Sequence, residues 1–553
     1  MKANSTLNRD QSSDYGRLQE FARRFWQWRA QQMPISYDDI PRLERPAGWV
    51  PDWSAAAIAE RRQDLASFVR DWESIDPKNW TIDQQVDYRL IGSALARVRW
   101  ELDITRGHEV NPDFYVHQTL GAIFLSLLNP GPFDPQRCAE ILTRWRSIPA
   151  TVEEAKKNLT HTAIRAFAVA AIEKLSDVKD CLNRVVAELQ PRLDANSAAQ
   201  LEPANQEAVQ ALESLREWLT QRLPQMTEAT AVGQEAYCFF LRNVALMPFT
   251  PEQLLVTSQQ EWERSVAFEQ FELRRNVGVP QRPIFPNQAA QIESEAQLER
   301  GVREFLEGKN ILSVPDWVKH YHNLPLPSYL APLAFMGVTD DLTSATRLDE
   351  DGISYIKEPS PGLEYFALSI ARDPRPLIVH EGVPGHYLQL VLSWAHENPI
   401  RRQYYDSGAN EGIGFYAEEL MLQFGLFDDS PHTREVMYSF MKLRALRVEV
   451  DVKLALGIFT IDQAADYLQQ VAALDEATAR QEATFFASSP GQAITYQIGK
   501  LQIMKFLADA KRIQSDAFDL RSFHDYVWKN GNVPIALQRW EYLGLDDEIG
   551  LLN

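Results

Sequence analysis

The sequence has little of what builds a disulfide-bonded, nucleic-acid-binding or membrane-spanning protein. Its three cysteines, Cys138, Cys181 and Cys238, are odd in number and far apart, unlike a disulfide framework or a cysteine metal cluster. Acidic residues outnumber basic ones by 76 to 56, and the net charge of −20 argues against nucleic acid or an anionic membrane as a partner. No apolar run approaches the roughly 18 residues that cross a bilayer.

The first residues, MKANSTLNRDQSSDYGRLQE, lack the apolar h-region of a signal peptide. Together with the few cysteines, this predicts a cytoplasmic location. The composition is 45% hydrophobic and 24% charged, which is typical of a soluble globular protein. A chain of 553 residues is long enough for more than one lobe.

Helical periodicity dominates the chain, as in TIDQQVDYRLIGSALARVRWEL, where apolar residues recur at helical spacing. Thr81 with Gln84, and Thr250 with Gln253, fit capping boxes at two helix starts. We therefore predict a mainly α fold with an N-terminal helical lobe over 1–330. A C-terminal helical lobe over 331–553 would carry the functional site and share a core with the first.

The helical pattern lapses between residues 323 and 379. There, GISYIKEPSPGLEYFALSI alternates as a short strand would, which predicts a small β element just before the site. An exposed strand edge at that place could pair with an extended peptide.

The stretch LIVHEGVPGHYLQL holds His380, Glu381 and His386, residue types that a zinc hydrolase uses. The usual H-E-x-x-H spacing is longer here by two residues. Six residues at about 100° each would leave the two histidines about 120° apart on a regular helix, so they could not face one metal. Pro384 removes a backbone donor and Gly385 tolerates unusual backbone angles, so this pair can distort the helix and swing His386 back.

Two interpretations of this segment remain open at this point. Apolar neighbours predict that it is buried, and buried histidines need partners, which a metal or a hydrogen-bonded core network would supply. The later stretch NEGIGFYAEEL places Glu411 at the start of another helical pattern, where a third, carboxylate ligand is expected. Glu411 could instead be a first-turn glutamate favoured by the helix dipole. Glu418 could orient a histidine or be solvated.

HEGVPGHYLQ, EGIGFYAEE, RALRVEVD and SPGQAITYQIGK, in this order, resemble the bacterial DUF885 family. The resemblance covers roughly residues 230 to 545. That family resembles a divergent branch of the gluzincin zinc metallopeptidases, with HExxPGH in place of HExxH. The resemblance implies a helical, two-lobed peptidase in which Zn²⁺ is held by His380, His386 and Glu411, and Glu381 is the catalytic base. Two imidazoles and a carboxylate also accept other divalent metals.

In SPGQAITYQIGK, Gln492, Tyr496 and Lys500 are four residues apart and share roughly one helix face. By resemblance, Tyr496 holds the oxyanion. Lys500 would receive a substrate carboxylate, which favours exopeptidase action, and Gln492 is a further candidate for substrate binding. The alternatives are a core tyrosine and a surface lysine.

Arg444, Arg447 and Asp451 lie at i, i+3 and i+7 on one predicted helix. They could form a buried ion-pair network beside the site, or an exposed one of little energetic consequence. The chain departs from the family pattern in two places, since Ala455 and Tyr387 stand where the family has histidines.

The sequence thus predicts zinc-dependent hydrolysis of peptide bonds in peptides or small proteins. The alternative is a non-catalytic descendant that keeps the zinc site and binds peptides or a protein, which Ala455 favours and Glu381 opposes. A metal-free helical scaffold is the third interpretation. The sequence does not predict the oligomeric state.

Overall fold

Helices make up most of the structure, a computed structural model that describes residues 4–36, 44–363 and 365–552. The helices of the first part are α1 (Asn4–Gln32), α2 (Ala55–Glu73), α3 (Ile82–Arg99), α4 (Gly107–Val110), α5 (Pro112–Val116), α6 (Ala122–Leu127), α7 (Pro135–Asn158), α8 (Arg165–Lys174), α9 (Val178–Leu189), α10 (Ala195–Arg222), α11 (Gln234–Phe239), α12 (Pro251–Arg275) and α13 (Gln288–Gly308). The mainly α class that the periodicity predicts is confirmed.

The helices of the second part are α14 (Tyr365–Ile370), α15 (Arg375–Leu377), α16 (His386–Trp394), α17 (Pro399–Gln403), α18 (Ser407–Phe424), α19 (Pro431–Ala455), α20 (Ile461–Ala472), α21 (Glu476–Ser488), α22 (Thr495–Gln514), α23 (Leu520–Lys529) and α24 (Ile535–Leu543). Turns of π-helix lie at Trp100–Thr105, His117–Gly121, Phe240–Val244 and Ile378–Gly382. Turns of 3₁₀-helix lie at Gln190–Arg192, Leu223–Gln225, Ala331–Met336, Ser515–Ala517 and Ile549–Leu552.

One of the two predicted capping boxes forms. At the start of α12, the Thr250 hydroxyl accepts the Gln253 N–H, and the Gln253 side chain accepts the Thr250 N–H. At the start of α3, Thr81 has extended backbone angles, but its side chain makes no capping bond. The predicted capping box at Thr81 was therefore wrong, although α3 begins where it was expected.

A three-stranded mixed sheet precedes the HEGVPGH segment. Its strands are β1 (Tyr321–Pro325), β2 (Asp340–Asp341) and β3 (Gly352–Ile356), in the order β1-β3-β2. β1 runs parallel to β3 and β2 antiparallel to it. The predicted strand is therefore β3, but it ends at Ile356, and the rest of the predicted stretch includes α14. Because β3 is the middle strand and pairs on both sides, it does not offer the open edge that we expected for a peptide.

The packing does not break at the predicted boundary near residue 330. The largest apolar cluster is built on helices from α1 to α10 but includes Leu330, Tyr404 and, from the C-terminal end, Leu537 and Trp540. A second cluster surrounds the HEGVPGH segment and draws on α13, α16, α18, α22 and α23. The division into lobes stays a prediction, and the two halves share core contacts.

Among the helices of the described residues, none is long and apolar enough to cross a bilayer. The three cysteines are free thiols, two of them buried. Burial raises the pKa of the Cys181 thiol to about 11, so this thiol stays protonated at neutral pH.

Candidate metal centre

The HEGVPGH segment is an interrupted helix. His380 and Glu381 lie in the π-helical turn Ile378–Gly382, and the backbone is extended at Val383. The peptide bond between Val383 and Pro384 is cis. His386 then begins α16. The distortion that Pro384 and Gly385 predict is thus a complete break between two helical turns.

Gly385 lets the chain fold back onto the turn that it has just left. A Cβ atom at this position would lie 1.8 Å from the carbonyl oxygen of His380, closer than any side chain can approach. On the other side, the indole N–H of Trp528 donates to the Pro384 carbonyl at 2.6 Å. As a result the imidazole rings of His380 and His386 lie side by side, edge to face, with centroids 4.6 Å apart and planes 79° apart.

Helix α18 passes beside both imidazoles and brings Glu411 to them. Glu411 Oε2 lies 3.2 Å from His386 Nε2 and 3.5 Å from His380 Nε2. This approach requires a glycine on α18, because a Cβ at Gly414 would lie 2.9 Å from one ring and 3.0 Å from the other. The two glycines of EGIG therefore serve close packing, since Gly412 likewise sits against Gly499 of α22.

His380, Glu381 and His386 form a group that could hold a metal ion, with ligand atoms that all lie within 4.8 Å of one another. In a tetrahedral zinc site with bonds of about 2.0–2.2 Å, neighbouring ligand atoms are about 3.3–3.6 Å apart. The distances from Glu411 to the two histidines are close to this edge length. Glu381 Oε2 is farther from His386 Nε2, at 4.0 Å.

Buried oxygen atoms in this group lack partners that a cation would supply. Glu381 Oε2 and Glu411 Oε2 are buried in the described structure without a hydrogen bond of good geometry. An unsatisfied buried carboxylate is costly, so the donor set fits a divalent cation. Among the described residues, these carboxylates are compensated only by the nearby imidazoles.

The titration of the group reflects the same proximity. Burial alone would raise the pKa of Glu411, but its contacts with His386 and His380 hold that pKa well below the usual range. Burial alone would lower the pKa of His380, but Glu411 and Glu418 outweigh it and raise the pKa to about 10. The proton on His380 therefore carries positive charge beside Glu411, and a bound metal would displace it.

Glu418 lies where the sequence suggested that it could orient a histidine. Its Oε1 is 2.6 Å from His380 Nδ1, which is close enough for a hydrogen bond, but the two groups are not aligned for one. The same carboxylate pairs with Arg444 at 2.9 Å. Such a carboxylate fixes which imidazole nitrogen faces a ligand and raises its basicity.

Tyr496, at the start of α22, stacks near the first imidazole. Its ring centroid is 6.3 Å from that of His380, with the planes 15° apart. The guanidinium groups of Arg444 and Arg447 lie 5.4 Å and 5.9 Å from the ring centre. Burial and the charge of Glu411 raise the pKa of the phenol well above its usual value, so it keeps its proton.

Lys500, one turn later on α22, faces a different environment. Its ammonium is fully buried, donates to Glu419 at 2.8 Å and lies 4.5 Å from the centre of the Phe415 ring. Glu261 of α12 is a further partner at 3.4 Å. A role with a substrate carboxylate stays a prediction, and these contacts weigh against it because the charge is already compensated.

Arg447 and Asp451 do not join Arg444 in the shared network that their spacing suggested. Arg447 forms a two-pronged pair with Glu482 of α21. Asp451 is fully buried and accepts hydrogen bonds from the backbone N–H groups of Gly491 and Ala493 and from the Tyr237 hydroxyl. Asp451 thereby holds the turn that leads into α22 and Tyr496.

Ala455 and Tyr387, which stand where the resemblance implies histidines, pack in apolar or aromatic surroundings. Ala455 ends α19 in an apolar cluster with Tyr237 and Ile494, and its carbonyl accepts the Gly233 N–H. Tyr387 is fully buried against β3, where a Cβ at Gly352 would lie 2.5 Å from its ring.

A cavity of about 1720 Å³ lies between helices of both halves. Its lining includes Asp406 and Ser407 at the start of α18, and Gln492 and Thr495 at the start of α22. The Ser407 hydroxyl reaches Gln492 Oε1 at 3.4 Å. The imidazoles are not part of the lining, but Glu411 and Tyr496 follow these residues on the same helices.

Several contacts that shape the site have no signal in the sequence. Trp528 reaches Pro384 across 144 residues, and the ring of Tyr321 packs where a side chain at Gly382 would stand. Both contacts join elements that are distant in the chain, which helical periodicity cannot relate.

A family model described as "Bacterial protein of unknown function (DUF885)" matches residues 40–300 and 361–540. The chain therefore belongs to this family. No curated protein matches the chain.

Two solved structures share its fold. One is a "putative lipoprotein of unknown function" from Shewanella oneidensis, with a TM-score of 0.70 and 18% identity, covering 95% of this chain and 98% of that one. The other is a "putative lipoprotein" from Colwellia psychrerythraea, with a TM-score of 0.75 and 16% identity, covering 96% of this chain and 98% of that one. At these identities the likeness concerns the fold alone.

Proposed function

We propose that this member of the DUF885 family is a zinc-dependent hydrolase of peptide bonds in peptides or small proteins, with a two-lobed, gluzincin-like architecture. His380, His386 and Glu411 would hold the metal. The observation that carries the proposal is the pair of distances from Glu411 Oε2 to the two imidazoles, 3.2 Å and 3.5 Å, which match the edges of a tetrahedral site.

When bound, Zn²⁺ would polarise the scissile carbonyl and lower the pKa of an attacking water. Glu381 accepts the proton of that water and passes it to the leaving amine. Its side chain is 18% exposed, against 7% for Glu411, which makes it the more accessible of the two carboxylates although its Oε2 is buried. Tyr496, which keeps its proton, donates to the oxyanion.

Four other residues have supporting roles in this proposal. Glu418 orients His380 through Nδ1. Asp451 fixes the turn before α22 and so the position of Tyr496, while Arg447 lies beside its ring. Gln492 lines the large cavity, whose volume exceeds that of an ordinary small-ligand pocket and suits a peptide.

The test is cleavage of a peptide library, followed by mass spectrometry, with and without a chelator. We expect chelator-sensitive cleavage by the wild type and about one equivalent of bound zinc. Glu381→Gln should keep the metal and lose turnover, whereas His386→Ala should lose the metal. Full activity of Glu381→Gln would remove the base role, and undiminished zinc in His386→Ala would remove the ligand assignment.

The second candidate is a non-catalytic zinc protein that binds peptides. Ala455 favours it, because a family histidine is replaced by a methyl group within an apolar cluster. The same library separates the two functions. A binder would retain peptides on the zinc-loaded protein without new termini, and Glu381→Gln would not change that retention.

The compartment is tested separately. The sequence predicts the cytoplasm, but the two solved structures carry the description of lipoproteins, which favours the cell envelope. Fractionation of cells that express the full gene, with cytoplasmic and envelope marker proteins as controls, decides between them.

A further inference from the structure

A cluster of aromatic rings at the surface leads directly to the candidate metal centre. Tyr365 and Phe366 of α14 are 53% and 41% exposed, although both are large and apolar. Their rings rest on Phe440 of α19, with centroids 6.3 Å and 4.8 Å from it. We call Tyr365, Phe366 and Phe440 the aromatic patch.

Arg444 connects the aromatic patch to the site. It follows Phe440 by one turn of α19, and its guanidinium lies 5.7 Å from the centre of that ring. The same guanidinium lies 5.4 Å from the centre of the Tyr496 ring and pairs with Glu418, the carboxylate beside His380. The patch is thus linked to the His380 imidazole through two side chains, the half-buried Arg444 and then Tyr496 or Glu418.

The distances between the aromatic patch and Tyr496 suit a substrate residue close to the cleaved bond. An extended peptide advances about 3.3 Å per residue, so a substrate held at Tyr496 would reach Phe440 within about three residues.

We propose that the aromatic patch binds a large apolar or aromatic side chain of the peptide substrate, next to the scissile bond. Ring faces at 4.5–7 Å spacing favour a further aromatic or aliphatic group. A basic side chain is disfavoured because Arg444 lies beneath the rings, and an acidic one would lose its hydration without gaining a free cation, since Arg444 is already paired. This inference rests on the proposed peptidase function and names its substrate class.

The test uses a set of fluorogenic peptides based on one cleaved sequence, with each of the residues around the bond changed in turn to Phe or Ser. The wild type should favour Phe over Ser at one position, about tenfold in kcat/KM. Phe366→Ala should bring this ratio close to one, chiefly by lowering kcat/KM for the Phe peptide. Tyr365→Ser is the second variant if Phe366→Ala changes the circular dichroism spectrum.

The matched control is Phe271→Ala. Phe271 is 61% exposed on α12 and its ring packs on Phe268, whereas the rings beside Arg444 are those of Phe415, Phe440 and Tyr496. It should leave the Phe-to-Ser ratio unchanged. The inference is overturned if Phe366→Ala keeps the wild-type ratio, or if Phe271→Ala lowers the ratio equally.

A binding readout separates this inference from the proposed function. Fluorescence anisotropy of the labelled Phe and Ser peptides on zinc-loaded Glu381→Gln should show the same preference, lost in Glu381→Gln/Phe366→Ala. If the wild type cleaves nothing, the peptidase proposal fails, and the anisotropy ratio still decides the patch. If Phe366→Ala instead dissociates a dimer in sedimentation, with an unchanged ratio, the patch binds a second copy and the inference is overturned.

Discussion

A side chain at Gly385 would begin 1.8 Å from the carbonyl oxygen of His380. The chain after Pro384 is therefore pressed against the helical turn that carries the first imidazole. This contact between Gly385 and His380 explains how a spacing two residues longer than H-E-x-x-H still brings two imidazoles together.

We expect Gly385→Ala to lose zinc and to lower the free energy of unfolding by about 3 kcal/mol, because backbone must move to admit the methyl group. Zinc content by mass spectrometry and a denaturant titration measure the two effects. Gly301→Ala is the control, since Gly301 lies in α13 with no atom within 4 Å of the added Cβ. Gly301→Ala should keep zinc and raise the free energy of unfolding by about 0.5–1 kcal/mol. Normal zinc binding by Gly385→Ala would contradict this account of the motif.

Glu418→Gln should weaken zinc binding about 10- to 100-fold, because the charge behind His380 Nδ1 is removed while the ligands remain. Competition with a chromophoric chelator measures the dissociation constant. The matched control is Glu435→Gln, which removes a carboxylate 3.0 Å from another histidine, His432, outside the site. Equal zinc affinity of Glu418→Gln and the wild type would show that Glu418 serves packing with Arg444 only.

His524 makes a pH-dependent contribution to stability. Its Nδ1–H donates to the Ile311 carbonyl at 2.8 Å, and Nε2 lies 2.9 Å from the Tyr416 hydroxyl, so the neutral ring is satisfied on both sides. Burial lowers its pKa to about 4, below the 6.5 of the unfolded chain. The unfolded state therefore binds the proton more readily, and the contribution is present above pH 6.5 and lost as the pH falls towards 4.

We expect the titration of His524 to lower the free energy of unfolding by about 1 kcal/mol as the pH falls from 7.5 to 5.5. Denaturant midpoints at the two pH values measure the change. In His524→Gln the pH dependence should shrink by that amount, whatever the stability of the variant at pH 7.5. An unchanged difference between the two pH values in His524→Gln would contradict the assignment.

The sequence predicted the local geometry of the site better than its long-range contacts. The angular argument on His380 and His386 required a distortion at Pro384, and the structure has a break there. Glu411 lies on the next long helix, beside both rings. These inferences used only spacing along the chain and the conformational rules of proline and glycine.

The prediction for α22 shows where spacing alone is insufficient. Tyr496 and Lys500 are four residues apart, which suggested that they share one helix face and both meet the substrate. Yet Tyr496 lies near His380, while Lys500 is paired with Glu419. Helix periodicity gives the angle of a side chain around its own axis, but the partner at that angle comes from α12 or α18, far away in the chain.

Lys500→Met tests whether that lysine is structural. Because Arg264 still pairs with Glu419, we expect a loss of about 2 kcal/mol in the free energy of unfolding. The control Lys442→Met breaks a more exposed pair with Glu269 and should cost no more than about 1 kcal/mol. The substrate role is measured by kcat/KM for peptides with a free or an amidated C-terminus. A structural lysine leaves that ratio equal in wild type and Lys500→Met, whereas a receptor for the terminal carboxylate would give a strong wild-type preference that the variant loses.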